Sequence, residues 1–108
     1  MANLEAIVDP YAFDSSLLFG IIGERHRLKI LRVLMSGKCT VQEIGRKVKI
    51  EKTLLSKHLK ALREVGLVFA LREGRQLIYQ INPRVRGSRT KYSLKLHCCE
   101  IRLKDVKA

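Results

Sequence analysis

Three cysteines carry the most reactive side chains of this sequence: Cys39, Cys98 and Cys99, of which the last two are adjacent. An odd number of cysteines fits a reducing compartment in which thiols stay free, and it leaves a thiol-based site open. A vicinal pair is not the Cys-x-x-Cys arrangement of thiol redox enzymes. The sequence also has no carboxylate or histidine constellation for acid–base catalysis, so we expect that the protein is not an enzyme.

Charge is the second feature with chemical consequences. The 108 residues carry a net charge of +12, and the excess is uneven. Residues 1–40 contain five Lys or Arg against four Asp or Glu, whereas residues 41–108 contain 17 against six. Such a surface is expected on a protein that meets a polyanion, although solvated faces on a basic protein would also account for the charge alone.

The middle of the chain contains the elements that must position these charges. Thr40 and Glu43 fit a capping box, in which each side chain accepts a hydrogen bond from a backbone N–H left free at a helix start. A short helix should therefore run to about Val48. Residues 49–51 then form a tight connection, and the next helix runs to Gly66, which suits the left-handed position after a helix C-terminus.

The second of these helices has two different faces. Leu55, Leu59 and Leu62 share one face at i, i+4 and i+7, and we expect this face to pack against the domain. The other face is cationic and rich in hydrogen-bond donors; it consists of Lys52, Thr53, Ser56, Lys57 and Lys60.

A β-hairpin is predicted after this helix, because apolar residues alternate with others in two short runs. The runs are Leu67, Phe69, Leu71 and Leu77, Tyr79, Ile81. We place a two-residue turn at Glu73-Gly74, with Arg72 and Arg75 at its shoulders. Helix, turn, helix and basic hairpin make a winged helix-turn-helix, so the predicted fold class is mainly α with a small β-hairpin wing (α+β).

The chain length fits one domain, residues 1–108, that folds without disulfides. Its predicted segments are a dimerisation helix at 11–22, the helix-turn-helix at 40–66, the wing at 67–82, a basic linker at 84–91 and a C-terminal dimer or sensor segment at 92–108. The sequence has neither a basic leader nor an apolar run of about 20 residues, so we expect a cytoplasmic protein without a membrane partner.

The first helix, from Tyr11 to Ile22, is apolar over much of its circumference. A small domain can cover only one of its faces, so we expect the other face to pack against a second copy of the protein. The alternative is a helix buried entirely within its own chain. A second helix is predicted from Glu24 to Met35, and we expect its basic outer face to be solvated.

The tail allows two interpretations. Tyr92, Leu94 and Leu96 alternate as in a strand, and the alternation shifts by one residue at the two cysteines, which suggests a bulge. A helix is the alternative, because Leu94, Cys98 and Ile101 fall at i, i+4 and i+7. We prefer the extra C-terminal strand to the helix.

A helix that enters the major groove must present short polar and long cationic side chains from its first turns. The residues expected at base edges are Lys52, Thr53, Ser56 and Lys57. Those expected on the DNA backbone are Arg46, Lys47, Lys49, His58, Lys60, Arg63, Arg72 and Arg75. His58 would alternatively pack beside Leu59. The basic linker is either a flexible arm on the backbone or a solvated connection.

These elements resemble the ArsR/SmtB family of winged helix-turn-helix transcriptional repressors. The run from Ser56 to Val68, SKHLKALREVGLV, is similar to the family's S-[RK]-H-L-x-x-L-R-x-x-G-L-[VL]. The preceding helix and the wing match as well, so the resemblance covers about residues 20–83. It implies a homodimer that binds a double-stranded operator with dyad symmetry and releases it when an inducer binds. Two-fold symmetry would set two recognition helices about one turn of DNA apart.

The resemblance says less about the inducer. Thr40 and Gln42 stand where arsenic and cadmium sensors of the family carry a Cys-Val-Cys pair. Some family members end in vicinal cysteines that bind arsenite or antimonite, and a soft trivalent metalloid takes three thiolates. We therefore expect As(III), Sb(III) or another thiophilic ion at Cys98 and Cys99, joined by Cys39 from either subunit, and no required cofactor.

Three alternatives remain for the cysteines. The thiols could respond to oxidation or persulfide, because nearby basic residues favour thiolates. They could instead be buried small apolar residues without a sensing function. In that case the protein would be a constitutive DNA-binding protein with no inducer.

Overall fold

A computed structural model describes the backbone of residues 3–4 and, with side chains, residues 7–104 and 106. The ends of the predicted domain, 1–108, and of its C-terminal segment, 92–108, therefore lie partly outside the described residues. Among the described residues, no helix is long and apolar enough to cross a membrane.

The described residues contain four α-helices: α1 Ser15–Ile22, α2 Arg25–Met35, α3 Val41–Val48 and α4 Lys52–Glu64. Each helix begins after a residue whose side chain accepts a hydrogen bond from a backbone N–H of the first turn. These residues are Asp14, Glu24, Thr40 and Glu51. Helix starts in this chain therefore coincide with local side-chain caps.

The first helix is shorter than predicted. Asp9-Pro10 begins a single 3-10 turn, Pro10–Ala12, and α1 starts only at Ser15. The reason is the cap: the Asp14 carboxylate accepts a hydrogen bond from the Leu17 backbone N–H at 2.8 Å. The helix predicted at 11–22 is thus correct at its C-terminal end and wrong at its start.

The predicted helix-turn-helix is confirmed. The Thr40 N–H donates to the Glu43 carboxylate at 2.9 Å, and the Glu43 N–H donates to the Thr40 hydroxyl at 3.1 Å, which completes the capping box. Lys49 leaves α3 in the left-handed region, at φ 58°. The connection to α4 is therefore as tight as the sequence predicts.

Gly66 follows α4 at φ 78°, as predicted for the residue after a helix C-terminus. A Cβ atom at this position would collide with the backbone of Val8 and Pro10. The glycine is required both by its backbone conformation and by the N-terminal segment that packs against it.

In the part of the chain that the structure describes, six strands form two antiparallel sheets: β1 Asn3–Leu4, β2 Cys39–Thr40, β3 Val68–Glu73, β4 Gln76–Ile81, β5 Ser93–Lys95 and β6 Glu100–Arg102. The first four strands make one sheet in the order β1-β3-β4-β2, and β5 and β6 pair separately. The wing is the β3–β4 hairpin, and β2 joins it to the start of α3.

The wing turn lies one residue later than predicted. Glu73 pairs with Gln76, so the turn residues are Gly74 and Arg75. Gly74 adopts φ 60°, and the left-handed region favours a residue without Cβ at the first position of such a turn. Arg75 therefore lies in the turn itself and not at its shoulder.

The buried face of the wing also differs between the two strands. Tyr79 and Ile81 are buried, as their alternation predicts. On β3 the buried residues are Val68 and Ala70, which pair with Ile81 and Tyr79, whereas Phe69 is only half-buried. The apolar alternation that begins at residue 67 thus does not mark the core face of β3.

The tail is extended, as preferred, but it forms a hairpin of two short strands. Leu94 pairs with Ile101, and the Leu96 N–H donates to the Cys99 carbonyl at 2.8 Å. The shift of the alternation at the cysteines is therefore a turn at residues 96–99 and not a bulge. Leu94, Leu96 and Leu103 are buried, so the hairpin packs onto the domain.

Candidate nucleic-acid interface

The recognition helix α4 has the two faces that the sequence predicts. Leu55, Leu59 and Leu62 are at most 2% exposed and belong to the core. Five of the predicted DNA-contacting side chains of the helix are exposed: Lys52, Thr53, Ser56, Lys57 and Lys60. Its leucines thus anchor the helix while a donor-rich face is left open to a ligand.

The start of α4 is set by Glu51. Its carboxylate accepts hydrogen bonds from the backbone N–H groups of Thr53 at 2.8 Å and Leu54 at 3.1 Å. These bonds to the charged form, that from Thr53 first, lower the pKa of Glu51. The cap places Lys52 and Thr53 in the first turn, which is the part of a recognition helix that reaches base edges.

The recognition helix and the wing enclose a shared groove with a volume of about 350 Å³. Lys52 and Ser56 line it from α4, and Arg72 and Arg75 line it from the wing. Gln42, from α3, also lines it. Residues predicted to read bases and residues predicted to contact phosphates are therefore neighbours on one surface.

The predicted backbone-contacting residues of the helix-turn-helix are mostly accessible. Arg46, Lys47 and Lys49 are exposed around the end of α3. The Lys47 ammonium lies 3.8 Å from the Cys39 sulfur. These side chains and that of Lys60, in the second half of α4, are exposed and add to the cationic surface.

The structure does not support the predicted contact of His58 with the DNA backbone, because the side chain is buried. It is 6% exposed and points toward α2, where the Arg27 Nε–H donates to its Nδ1 at 3.0 Å. Burial, more than its neighbours, lowers the pKa of His58 and favours the neutral ring. The packing alternative is correct, and the spacing of His58 from Leu55 and Leu62 on the buried face is the signal that predicts it.

Arg63 also has a partner within the chain. Its Nη1 donates to the Tyr79 hydroxyl at 3.1 Å, and the residue is half-buried. This bond joins the last turn of α4 to β4. A phosphate contact by Arg63, as predicted from the sequence, would have to compete with it.

The three cysteine sulfurs of one chain do not all lie close together. Cys39 is 4% exposed in β2, opposite Tyr79, and its sulfur lies 3.7 Å from the Gly37 carbonyl oxygen. The sulfurs of Cys39, Cys98 and Cys99 are not all within 4.8 Å of one another. The predicted joining of Cys39 to the pair is therefore not met within the described residues of the chain, where Cys39 is a buried apolar residue.

Cys98 and Cys99 are exposed in the turn of the tail hairpin, with their sulfurs 3.7 Å apart. A hydrogen bond with the Ser15 side chain, followed by one with Cys99, lowers the pKa of Cys98. The hydrogen bond with Cys98 raises the pKa of Cys99. A cavity of about 560 Å³ adjoins the pair, and its basic lining residues are Arg89, Lys95 and Arg102.

The cysteine turn is docked on the segment that precedes α1. His97 Nε2 lies 3.1 Å from the Tyr11 carbonyl oxygen, and the two rings are 4.7 Å apart. The Tyr11 hydroxyl lies 2.8 Å from the Arg84 carbonyl oxygen and 3.0 Å from the Lys95 carbonyl oxygen, so its one proton is shared between these two acceptors. The sequence gives no signal for these contacts of Tyr11 and Ser15, because they are tertiary.

Known proteins are similar to this chain in sequence and, where their structures are solved, in fold. A 70-residue stretch is 31% identical to the biofilm growth-associated repressor of Agrobacterium fabrum and covers 65% of this chain, but only 60% of the length of that relative. The homodimeric winged helix-turn-helix DNA-binding domain of Mb0332 from Mycobacterium bovis is 32% identical, with a TM-score of 0.61 and 64% of each chain covered.

The transcriptional repressor BigR from Xylella fastidiosa is 28% identical, with a TM-score of 0.61, over 64% of this chain and 70% of that chain. Residues 25–81, from the first residue of α2 to the end of the wing, match the model of the arsR family of bacterial regulatory proteins. This match spans more than half of the sequence and includes both helices of the helix-turn-helix. The chain belongs to the ArsR family of bacterial regulatory proteins.

Proposed function

We propose that this protein is a homodimeric transcriptional repressor that binds double-stranded DNA through the exposed face of α4 and the wing. The proposal rests on one observation: Lys52 and Ser56 of α4 line the same groove as Arg72 and Arg75 of the wing. Short polar and long cationic side chains side by side suit simultaneous contact with base edges and flanking phosphates. The net charge of +12 supports attraction to a polyanion.

Dimerisation through α1 is the second part of the proposal. Leu18 and Ile22 are buried in the core, yet Leu17 and Phe19 of the same helix are 44% and 42% exposed. An α-helix that is apolar on both sides needs a second partner, and a second copy of the chain is the simplest one. Mb0332 is homodimeric, which supports this assignment. Two-fold symmetry in the protein implies dyad symmetry in the operator.

Repression, as opposed to activation, is inferred from the relatives. The Agrobacterium fabrum relative and BigR are both named as repressors. A dimer on an operator blocks access to the DNA that it covers, and relief of the block then requires that affinity falls in response to a signal.

We assign that signal to the Cys98–Cys99 pair, and we propose a thiol-reactive inducer, with arsenite or antimonite as the first candidates. Metal–sulfur bonds of about 2.3 Å allow one ion to contact two sulfurs that lie within about 4 Å of each other, and the observed separation is 3.7 Å. The lowered pKa of Cys98 favours the thiolate that binds such ions. Since Cys39 is buried in β2, the third ligand would come from outside this chain.

A route from the thiols to the DNA is built from contacts of the tail. The Ser15 side chain, at the start of α1, lies beside Cys98 and lowers its pKa, and His97 contacts the preceding Tyr11. An ion at the thiols would break the Ser15 contact and so alter the helix that we propose as the dimer interface. A change in dimer geometry changes the separation of the two recognition helices, to which operator binding is sensitive.

Fluorescence anisotropy with a duplex selected from random sequence tests both parts. We expect tight binding by the reduced protein, and weaker binding after arsenite is added. The Cys98→Ser, Cys99→Ser double variant should bind DNA normally and ignore arsenite, whereas Cys39→Ala should behave like the parent. If persulfide or an oxidant lowers the affinity for DNA and arsenite does not, the inducer is a redox signal and not a metalloid. Affinity indifferent to all of them would indicate a constitutive DNA-binding protein.

A further inference from the structure

A cluster of one carboxylate and two imidazoles lies behind the recognition helix, on the side away from the proposed DNA surface. It consists of Glu24 and His26 at the start of α2 and His58 in the middle of α4. Their metal-binding atoms all lie within 4.8 Å of one another, and they form the only such group of three or more His, Cys, Asp or Glu among the described residues.

The contacts within the cluster orient these atoms toward a common point. His26 Nδ1 lies 3.1 Å from one oxygen of Glu24, and His58 Nε2 lies 3.6 Å from the other. The two imidazole rings are stacked at 5.5 Å with an interplanar angle of 25°. Ions bonded to two nitrogens at about 2.1 Å each need those nitrogens within about 4.2 Å, so small side-chain rotations are sufficient to close the site.

We propose that Glu24, His26 and His58 bind one divalent transition-metal ion of the Zn²⁺ class. Two imidazoles and a carboxylate are a donor set that zinc takes in proteins, with a further position left to water. Magnesium and calcium are disfavoured, because they prefer oxygen ligands alone. The ion would connect the start of α2 to the middle of α4.

Accessibility differs between the ligands in a way that suits ion entry. The His58 side chain is 7% exposed and fixed in the protein, whereas those of His26 and Glu24 are 33% and 36% exposed. A solvated ion can thus meet the two outer ligands first and then lose water as it reaches the inner one. The open side also leaves room for the remaining water ligand.

Arg27 makes a hydrogen bond to His58 that must break before an ion can bind this histidine. An arginine can only donate, so its hydrogen bond to Nδ1 at 3.0 Å places the proton of the neutral ring on Nε2. When Nε2 binds the ion, that proton must move to Nδ1, and the Arg27 Nε–H must turn away. Arg27 retains its bond from Nη1 to the Ile21 carbonyl oxygen at 3.2 Å. Arg27 therefore opposes the ion both by its charge and by its hydrogen bond.

This site is separate from the thiol pair and does not depend on DNA binding. Its test is a Co²⁺ titration of the full chain in a Cys98→Ser, Cys99→Ser background, followed by visible absorption. We expect one Co²⁺ per chain, with ligand-field bands and no thiolate charge-transfer band. Glu24→Gln and His26→Gln should each lower the affinity by more than about tenfold. Loss of a group that only hydrogen-bonds to a metal ligand already costs about tenfold, and these two residues would be ligands themselves.

His97→Gln is the matched control, because it removes a histidine from the exposed tail, and it should leave the affinity unchanged. Arg27→Gln should tighten binding, since its side-chain carbonyl can accept the hydrogen bond from Nδ1–H. In the parent background, Zn²⁺ should shift the imidazole nitrogen resonances of His26 at Nδ1 and of His58 at Nε2. No saturable binding, or equal binding by the Glu24 and His26 variants and the parent, would overturn the proposal.

Discussion

The Arg63 guanidinium donates a hydrogen bond to the Tyr79 hydroxyl at 3.1 Å, and this bond joins the last turn of the recognition helix to the second strand of the wing. The two elements form the walls of the groove that we propose as the DNA-binding surface. Their relative position is therefore fixed in part by a side-chain contact at the far end of the helix from the DNA.

A double-mutant cycle measures how much this contact contributes. Tyr79→Phe and Arg63→Ala should each destabilise the protein, and their coupling free energy in urea unfolding should be about 1 kcal/mol, as for a partly exposed hydrogen bond to a charged group. Additive single effects would show that the bond contributes nothing to stability. Arg63→Ala should lower DNA affinity no more than Tyr79→Phe does, because both variants lose the same bond and the guanidinium's partner is Tyr79 and not a phosphate.

Salt dependence distinguishes phosphate contacts from bystander charges. Lys60→Ala and Arg75→Ala should weaken binding to all duplex sequences alike, and each should reduce the slope of log affinity against log salt by about one. Lys104→Ala removes an exposed charge from the tail and serves as the control, with the slope unchanged. The slope is read from anisotropy titrations at several salt concentrations. An affinity of the parent protein that is insensitive to salt would contradict the proposed interface.

Two glycines with positive φ provide a matched test of the fold. Gly66 and Gly74 have φ angles of 78° and 60°. A Cβ at Gly74 meets open space, so Gly74→Ala should cost about 1–3 kcal/mol of backbone strain alone. At Gly66 it meets the backbone of Val8, and this overpacking should add about 1–3 kcal/mol. Equal losses in the free energy of unfolding would mean that the N-terminal segment does not pack against Gly66.

Thiol reactivity should follow the order Cys98, then Cys99, then Cys39. The thiolate is the reactive species, and the pKa of Cys98 is lowered by Ser15 while that of Cys99 is raised by Cys98. Cys39 is 4% exposed and should react only on unfolding. Timed alkylation below pH 8 with peptide mass spectrometry measures the order. Ser15→Ala should slow the reaction of Cys98 specifically, and modification of Cys39 before the pair would contradict the structure.

Signals carried by neighbouring residues explain what the sequence predicts correctly. Thr40 and Glu43 form their capping box within one turn, and Gly66 ends a helix whose leucine spacing already defines a buried face. These features depend on backbone geometry over a few residues, so they can be read without knowledge of the rest of the chain. The fold class follows from them.

The predictions are wrong where two local interpretations fit the sequence equally well, or where the contacting residue is distant in the sequence. Glu73-Gly74 and Gly74-Arg75 both place glycine in a hairpin turn, and only the pairing of Glu73 with Gln76 decides between them. A shift in apolar alternation at Cys98 fits either a bulge or a turn. The contacts of His58 with Arg27 link residues on different helices, so no local pattern predicts the cluster behind α4.

We propose that the exposed face of α4 reads base edges. The decisive experiment is the selection of binding sites from random duplex DNA, carried out in parallel for the parent protein, Lys57→Ala and Lys60→Ala. We predict a site with dyad symmetry for the parent. Lys57→Ala should relax the preference at one position in each half-site, at a cost of about 1–3 kcal/mol, whereas Lys60→Ala should select the parent's site with lower affinity. An identical preferred sequence for the parent and Lys57→Ala, or no selected sequence at all, would contradict the claim.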